Sequence, residues 1–575
     1  MCCTHTVVTM EWWSDLWLNE GFATWAGTLA VDHVFPDWDT WTQFSQDDGS
    51  YALSTDALLS SHPIQVNITD PAMIDQVFDA LSYSKGACMI RMLESHVGPD
   101  VFRLGLRNYL EKHQYNNTVT SDLWAAISST AGYNVADIMD TWCKHVGFPV
   151  INVTGTTTDQ VTISQARFVN VGSEIGEPHL WKVPLSALCS QDATGRMGQP
   201  LSAQSVFTDT PGGSWIWKVK LTLNTESTTT AAPGGSWMKL NAGQTSFVRV
   251  NYDAAGWSAL IDPIKNMKLP AVDRLGIAND VFALAAAGLG STTTALEMAQ
   301  AFKHGERDYS VWSAVAGGLG KISAIVESSA FYPQFEQYCN DLYTPLFNHL
   351  GWEPKETDSH TTSMLRALCL SAVTKYGAKE VVAEALKRFA TYVDTKELAP
   401  DLRTVVFNCA VEFGTVVQFD QMLRIWEEAD TPELKMKALR AMGKTRDPVL
   451  IERYLDFAFS GQVRSNNVLY VFVTLAGNVY AREQMWQFVQ KHWEDKILDM
   501  YKGSHAMLAY MVALPLRGFS TRDKADEGEA FFKTHEVPEA SMKLQQVLET
   551  IRSKASWLER DEEELKNFFT TAQSN

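Results

Sequence analysis

The sequence contains few cysteines, and no two of them have the spacing of a metal-binding or redox pair. Eight cysteines occur in 575 residues, and no Cys-x-x-Cys sequence is among them. This composition excludes the disulfide scaffold of a small secreted domain, and it makes reduced, buried thiols the expected state. We therefore predict a cytoplasmic location.

Basic runs and long apolar runs are also missing. The chain has 48 Lys and Arg against 67 Asp and Glu, so its formal net charge at pH 7 is −19. Such a charge repels nucleic acid and anionic membrane surfaces, and we predict neither as a partner. No apolar run approaches the ~20 residues of a membrane-spanning helix. The longest candidates, Val281–Leu289 and Val468–Ala476, contain small or polar residues.

Histidine pairs at helical spacing are missing as well. None of the 13 histidines lies three or four residues from another, and no His-Glu-x-x-His sequence occurs. Two histidines on one helical face are the usual source of two zinc ligands. The sequence therefore contains no recognisable helical zinc site of its own.

One carboxylate, that of Glu20, stands on an otherwise apolar helical stripe. In a helix, the residues one turn away from it are Leu16, Trp17, Ala23 and Thr24. A buried carboxylate is costly unless it is paired, hydrogen-bonded or bound to a metal. The residues alone leave two interpretations open: a metal ligand, or an acid that is half-exposed or paired with an arginine.

A tyrosine, Tyr83, stands in the segment Phe-Asp-Ala-Leu-Ser-Tyr-Ser-Lys-Gly-Ala at positions 78–87. Apolar residues continue from it at helical spacing through Ala87, Ile90 and Leu93, which predicts a helix. A phenol is a neutral hydrogen-bond donor at pH 7, so it can stabilise developing negative charge. The alternative is a core tyrosine on an amphipathic helix.

The period of the apolar residues changes near residues 148 and 254. Residues 1–148 have helical spacing, residues 149–253 alternate as half-buried strands do, and residues 254–575 return to helical spacing. We predict three domains from this pattern: a helical part, a small β-sandwich, and a large all-α part whose helix pairs stack into a solenoid.

Individual elements are predicted within the second and third parts. Alternation predicts strands around Val161 and over residues 217–223, followed by a Ser/Thr/Gly-rich loop at 225–236 and short strands at 237–240 and 247–252. In the third part, Asp273–Ala287 is predicted as one amphipathic helix, and the last helix has Leu544, Val547, Leu548, Ile551, Ala555 and Leu558 on one face.

Several of these segments resemble the M1 zinc aminopeptidases. Residues 12–23, Trp-Trp-Ser-Asp-Leu-Trp-Leu-Asn-Glu-Gly-Phe-Ala, resemble the family's third zinc-ligand segment. The segment of Tyr83 resembles the one whose tyrosine stabilises the oxyanion. Residues 273–275, 516–522 and 557–561 resemble the C-terminal domain of the same enzymes, and Val31–Pro36 is most similar to the puromycin-sensitive, cytosolic branch.

The resemblance implies a zinc metalloaminopeptidase that removes N-terminal residues from peptides. It implies that Glu20 is a zinc ligand, that Tyr83 donates its hydroxyl to the oxyanion, that one zinc ion is the cofactor, and that peptides are the substrates. The implied fold is the helical back half of a thermolysin-like catalytic domain (1–148), a β-sandwich (149–253) and an α-helical C-terminal solenoid (254–575).

Upstream of Glu20 the sequence departs from the family. The family's other two ligands are the histidines of a His-Glu-x-x-His helix, and the family's spacing puts the second histidine at the position of Met1. The Gly-Ala-Met-Glu-Asn loop that binds the substrate's amine is missing too. We therefore expect an M1 enzyme that lacks its zinc-binding helix. The alternatives are a non-catalytic peptide- or protein-binding remnant and a truncated gene model without independent activity.

Three neighbouring features give further expectations. Asp15 either orients a metal ligand, caps a helix or is solvated. His62 either lines the substrate side of the cleft or is an ordinary loop histidine, and we assign it no role. Trp12, Trp13 and Trp17 are expected to be exposed apolar surface, which predicts poor solubility of the chain expressed alone.

Overall fold

The computed structural model describes residues 7–69, 74, 76–155, 160–170, 179–190, 206–209, 215–223, 225–231 and 236–571. The chain forms two compact units, Met1–Gly318 and Leu319–Asn575. Helices make up most of the described residues of both. Within these ranges, no helix has the length and apolar character required to cross a membrane.

The first unit begins with a mainly helical region. The strands β1 (Val8–Met10) and β2 (Asn116–Thr118) pair in parallel. The helices are α1 (Leu16–Val34), α2 (Thr40–Phe44), α3 (Ser50–Asp56), α4 (Gly86–Val97), α5 (Pro99–His113), α6 (Thr120–Ala131) and α7 (Ala136–Cys143). Two π-helical turns, Ser45–Gly49 and Leu81–Lys85, lead directly into α3 and α4.

Helix α1 is buried along its first half and largely exposed along its second. Leu16, Trp17, Leu18 and Phe22 are buried, and Leu29, Val31 and Val34 are exposed. The helix ends two residues before Pro36, because the residue that precedes a proline avoids the α-helical region. The carboxylate of Glu20 therefore lies on the part of the helix that packs against its neighbours.

The expectation of exposed tryptophans is confirmed for Trp12 and wrong for Trp17. Trp12 is 51% exposed, whereas Trp17 is 0% exposed. The Trp17 indole donates a 3.1 Å hydrogen bond to the Thr120 hydroxyl at the start of α6, and its ring lies 5.8 Å from that of Trp124. Helix α6 therefore covers Trp17, which the sequence pattern of α1 alone did not reveal.

Two four-stranded sheets follow in the first unit. Their strands are β3 (Pro149–Thr154), β4 (Gln160–Arg167), β5 (Val183–Cys189), β6 (Val206–Asp209), β7 (Trp215–Leu223), β8 (Ser227–Ala231), β9 (Met238–Leu240) and β10 (Arg249–Tyr252). One sheet has the order β10-β3-β4-β8, and the other has the order β6-β7-β5-β9. The pair β10–β3 is parallel and the other pairs are antiparallel.

The sheets confirm most of the predicted strands and correct one prediction. The strands predicted around Val161 and over 217–223 are present, and the strands predicted at 237–240 and 247–252 correspond to the shorter β9 and β10. The Ser/Thr/Gly-rich loop predicted at 225–236 is wrong for Ser227–Ala231, which pairs with β4 as an edge strand. Threonine has a β-branched side chain that favours strands, and this preference outweighs the loop-like composition. Residues 232–235 lie outside the described ranges.

Helices continue from Ala254 to the end of the described chain. In the first unit they are α8 (Ala254–Lys265), α9 (Ala271–Ala287) and α10 (Thr292–Phe302), and α11 (Tyr309–Val326) spans the boundary between the units. The second unit contains α12 (Tyr332–Leu350), α13 (His360–Lys375), α14 (Lys379–Thr395), α15 (Pro400–Phe413), α16 (Val416–Glu428), α17 (Pro432–Met442), α18 (Pro448–Ala458), α19 (Ser465–Ala476), α20 (Arg482–Lys491), α21 (Asp499–Tyr501), α22 (His505–Arg517), α23 (Arg522–Thr534) and α24 (Ser541–Thr571). The predicted helices at 273–287 and at the C-terminus are confirmed.

Candidate functional site

Helices α1 and α4 approach each other closely at a pair of glycines. A Cβ atom on Gly21 would lie 2.8 Å from the carbonyl carbon of Gly86, and one on Gly86 would lie 3.2 Å from the Cα of Gly21. The neighbouring atoms are backbone, which cannot move aside as a flexible side chain can. Only glycine therefore allows this crossing, and the crossing brings the residues beside Gly21 to the residues before Gly86.

Glu20 and Tyr83 meet at this crossing. The Tyr83 side chain lies close enough to the Glu20 carboxylate for the two groups to interact electrostatically. Burial, followed by the negative charge of Glu20, raises the pKa of Tyr83 to about 12. The phenol is therefore protonated at neutral pH. Both side chains are half-buried, so Glu20 is neither fully buried nor fully solvated.

Tyr83 belongs to the π-helical turn Leu81–Lys85, and its neighbours in the turn are fixed by side-chain hydrogen bonds. The Ser82 hydroxyl donates to the Val77 carbonyl at 2.7 Å, and the Ser84 hydroxyl donates to Asp48 Oδ1 at 2.7 Å. Four residues of the turn are buried, and Tyr83 is the half-buried one. The turn is therefore held on both sides of the one side chain that reaches Glu20. π-Helical turns of this kind are frequent at functional sites.

A buried ion pair holds the C-terminal end of the same turn. Lys85 and Asp56 have side chains that are 0% exposed, and their charged atoms are 2.7 Å apart. Lys85 Nζ also donates to the Gly147 carbonyl at 3.1 Å, while Asp56 Oδ1 accepts from the Gly147 amide at 3.1 Å and from Ser61 Oγ at 2.6 Å. These hydrogen bonds compensate the desolvation of both charges.

Asp79 holds the N-terminal end of the turn, and sequence reasoning missed it. Its Oδ1 accepts from the Leu81 amide at 2.9 Å and from the Ser82 amide at 3.3 Å, as a helix-capping carboxylate does. His62 Nε2 lies 3.0 Å from Oδ2 of the same carboxylate. An aspartate two residues before a helical pattern is a known cap signal, so the sequence contained a clue to Asp79 but none to its pairing with His62.

Asp15 is buried, so the solvated role considered for it is wrong. Its Oδ1 accepts from the Thr120 hydroxyl at 2.5 Å, the Thr120 amide at 3.3 Å and Gln65 Nε2 at 3.1 Å. The side chain is therefore not solvated, and it makes no capping bond to α1. Asp15 therefore links the start of α1 to the start of α6. The three hydrogen bonds that its carboxylate accepts replace those that it would make to water.

The residues described by the structure do not make up a zinc site by themselves. A catalytic zinc ion takes three protein ligands, usually histidine nitrogens and carboxylate oxygens. Glu20 supplies one carboxylate at the crossing, and no cluster of three His, Cys, Asp or Glu side chains able to hold a metal occurs in the described part of the chain. The described residues around Glu20 and Tyr83 therefore supply one zinc ligand, the Glu20 carboxylate.

Comparison with known sequences matches two parts of the chain to protein families. Residues 5–142 match the Peptidase family M1 domain, and residues 237–553, more than half of the chain, match the ERAP1-like C-terminal domain. Aminopeptidase M1 of Arabidopsis thaliana is 32% identical over 581 residues, and Aminopeptidase M1-B of Oryza sativa subsp. japonica is 34% identical over 565 residues. The mitochondrial Aminopeptidase 2 of Saccharomyces cerevisiae is 30% identical over 569 residues.

These matches cover nearly the whole chain, and the chain belongs to the M1 peptidase family. The alignments include 99% of it for the Arabidopsis relative, 96% for the rice relative and 98% for the yeast relative. The chain spans 64%, 62% and 57% of the lengths of these relatives, respectively. The predicted family is thereby confirmed, while the roles of Glu20 and Tyr83 stay predictions.

Proposed function

We propose that the protein is a zinc metalloaminopeptidase that removes N-terminal residues from peptides. The observation that carries this proposal is the proximity of Tyr83 and Glu20 at the contact between Gly21 and Gly86, since it joins the two segments that resemble the family's oxyanion and metal-ligand segments. The relatives compared above are named aminopeptidases, which supports the same activity.

Tyr83 is proposed as the group that stabilises the oxyanion formed when the scissile peptide carbonyl is attacked. Its pKa of about 12 keeps the hydroxyl protonated, so the hydrogen bond is available without prior loss of a proton. The turn around Tyr83 is fixed by Asp79 on one side and Lys85 on the other. A donor held in this way needs little reorganisation when charge develops.

Glu20 is proposed as one carboxylate ligand of a single zinc ion. Its position supports this role, because the carboxylate is half-buried and is held beside Tyr83 by the glycine contact between the two helices. The ligand set is completed by groups other than the described residues. The chemistry proposed for the described chain is therefore limited to one metal ligand and one oxyanion donor.

The experiment is a combined measurement of bound zinc and of fluorophore release from an aminoacyl substrate by the purified protein. The proposal predicts near-stoichiometric zinc and measurable release. Glu20→Gln should lose both, whereas Tyr83→Phe should retain zinc and lose rate by roughly 10²–10³-fold, the usual cost of one oxyanion donor. Tyr133→Phe is the matched control, because Tyr133 is 41% exposed and should leave both readings unchanged.

Protein with neither zinc nor release would contradict the proposed activity for this chain. Peptide binding that survives in such a sample would instead favour the non-catalytic binding protein considered from the sequence. A binding assay with a labelled short peptide separates these outcomes, since it does not depend on turnover.

We infer that the finer architecture follows the family order. Residues 1–148 are proposed as the helical back half of a thermolysin-like domain, residues 149–253 as a β-sandwich and residues 254–575 as a helical solenoid. The two four-stranded sheets and the succession of helices after Tyr252 support these boundaries. A cytoplasmic location is proposed too, and it is supported by the described cysteines, none of which forms a disulfide bond: Cys88, Cys143, Cys189, Cys339, Cys369 and Cys409.

A further inference from the structure

His62 is a buried histidine with an acceptor at each ring nitrogen. The side chain is largely excluded from water, with the residue 8% exposed. Its Nδ1 lies 2.8 Å from the Pro63 carbonyl oxygen, and its Nε2 lies 3.0 Å from Asp79 Oδ2. A carbonyl oxygen has no proton to donate, so the contact at Nδ1 requires a proton on that nitrogen.

The partner at Nε2 is an acceptor as well. Oδ1 of Asp79 accepts hydrogen bonds from two backbone amides, those of Leu81 and Ser82, and an aspartate carboxyl group is ordinarily ionised at neutral pH. An ionised carboxylate cannot donate to Nε2. Both ring nitrogens therefore carry protons, and His62 is an imidazolium that forms a buried ion pair with Asp79.

The surrounding charges are consistent with this state. Burial by itself lowers the pKa of His62, but the hydrogen bond and charge of Asp79, the Pro63 carbonyl and the charge of Asp56 together raise it above its ordinary value. Asp56 is already paired with Lys85. The charge of His62 therefore compensates that of Asp79. A neutral imidazole has only one N–H group, so either the Pro63 carbonyl or Asp79 Oδ2 would receive no hydrogen bond from it.

Asp79 links this ion pair to the residue proposed as the oxyanion donor. The carboxylate caps the Leu81 and Ser82 amides, and the Asp79 carbonyl accepts from the Tyr83 amide at 3.2 Å. We propose that His62 is a positioning residue: as an imidazolium it fixes the Asp79 cap and thereby holds Tyr83 at Glu20. The consequence for catalysis rests on the proposed function, whereas the effect on the turn does not.

The direction of the pH dependence follows from the raised pKa. The stabilisation of the turn is fully present below the unfolded-state pKa of histidine, about 6.5, and is lost as the pH rises through the higher folded-state pKa of His62. Hydrogen exchange of the backbone amides of residues 81–85, expressed as protection factors from pH 6 to pH 9, measures this loss directly. Wild-type protection should fall across that range.

Three variants of the full chain make the test specific. His62→Phe removes both donors and should lower the protection of residues 81–85 by about tenfold or more at pH 6, as loss of a hydrogen bond to a charged group implies. His62→Gln retains one donor and cannot titrate, so its protection should be intermediate and independent of pH. His33→Gln, on the exposed end of α1, is the control and should behave as wild type.

Wild-type protection of residues 81–85 in His62→Gln at both pH values would overturn the proposal, and this variant keeps the test valid if His62→Phe fails to fold. Activity provides the second reading. The kcat of His62→Gln should lie below that of wild type at pH 6.5 and converge with it at pH 9, with KM unchanged. If amide protection changes as predicted but neither the wild type nor any variant has aminopeptidase activity, the proposed function is refuted. The positioning role of His62 is then still supported.

Discussion

Different kinds of interaction stabilise the region around Tyr83 and the helices of the second unit. Around Tyr83, the chain uses a glycine contact, the buried pair Lys85–Asp56 and the Asp79 cap, all within a few residues of one half-buried side chain. In the second unit, helices begin at short polar caps such as Ser359, Thr415, Thr431 and Asp447 and bury apolar faces.

The two regions therefore differ in what their interactions determine. Around Tyr83 the interactions fix the positions of particular atoms, whereas in the second unit the caps determine only where a helix begins. A cap contributes about 1 kcal/mol to whichever helix it begins, and its loss is spread over that helix. A buried ion pair or a backbone contact fixes particular atoms, and its loss leaves a desolvated charge or a steric conflict. Substitutions at a buried ion pair or a backbone contact should therefore destabilise the protein more than substitutions at a helix cap. Their effects should also be localised at particular atoms, whereas the loss of a cap is spread over its helix.

The largest effect is expected at the buried lysine. Lys85→Met should lower the free energy of unfolding by about 3–5 kcal/mol, because it leaves the Asp56 carboxylate buried without its cation. Chemical denaturation measures the change. Lys144→Met is the control, since its pair with Asp140 is mostly exposed and is worth about 0–1 kcal/mol. Similar losses in both variants would show that burial of an ion pair does not determine its contribution to stability.

A smaller effect is expected at the glycine contact. Gly21→Ala should cost about 1–3 kcal/mol, because its Cβ would meet the Gly86 backbone at 2.8 Å. Gly27→Ala, on the same helix with open space around it, should be neutral or stabilising by about 0.5–1 kcal/mol. Thermal melts of the two variants decide the point, and a stable Gly21→Ala protein would show that the helices do not touch there.

The smallest effect is expected in the second unit. Asp447 caps α18 through a 2.8 Å hydrogen bond from the Val449 amide, so Asp447→Ala should cost about 1 kcal/mol. Thr391→Ala, at an exposed position within α14, should cost nothing, since alanine is the better helix former. A loss in Asp447→Ala as large as that in Lys85→Met would mean that caps specify position as strongly as buried charges do.

Two elements of the second unit could be read from the sequence because their signals are local. Thr445-Arg446-Asp447-Pro448 predicts a turn, and the structure begins α18 at Pro448 with Asp447 as its cap. Apolar spacing likewise predicted the C-terminal helix, which is α24. Such signals lie within a few residues of the element that they define, so a single sequence is sufficient to read them.

Around Tyr83 the sequence predicted the residues and missed their arrangement. Glu20 and Tyr83 were selected by pattern and resemblance, but the contact between Gly21 and Gly86 joins residues 65 positions apart. His62 and Asp79 are 17 positions apart, and Trp17 and Thr120 are 103 positions apart. No local period contains this information, because it arises only when the helices pack.

Glu20 and Tyr83 are proposed to act as one site, and a double-mutant cycle on kcat/KM tests this most directly. Glu20→Gln, Tyr83→Phe and the double variant are compared with wild type on one aminoacyl substrate. We predict that the double variant loses about as much activity as the worse single variant, since residues that act as a unit are not additive. Losses that multiply would contradict the claim and indicate that the two residues act independently.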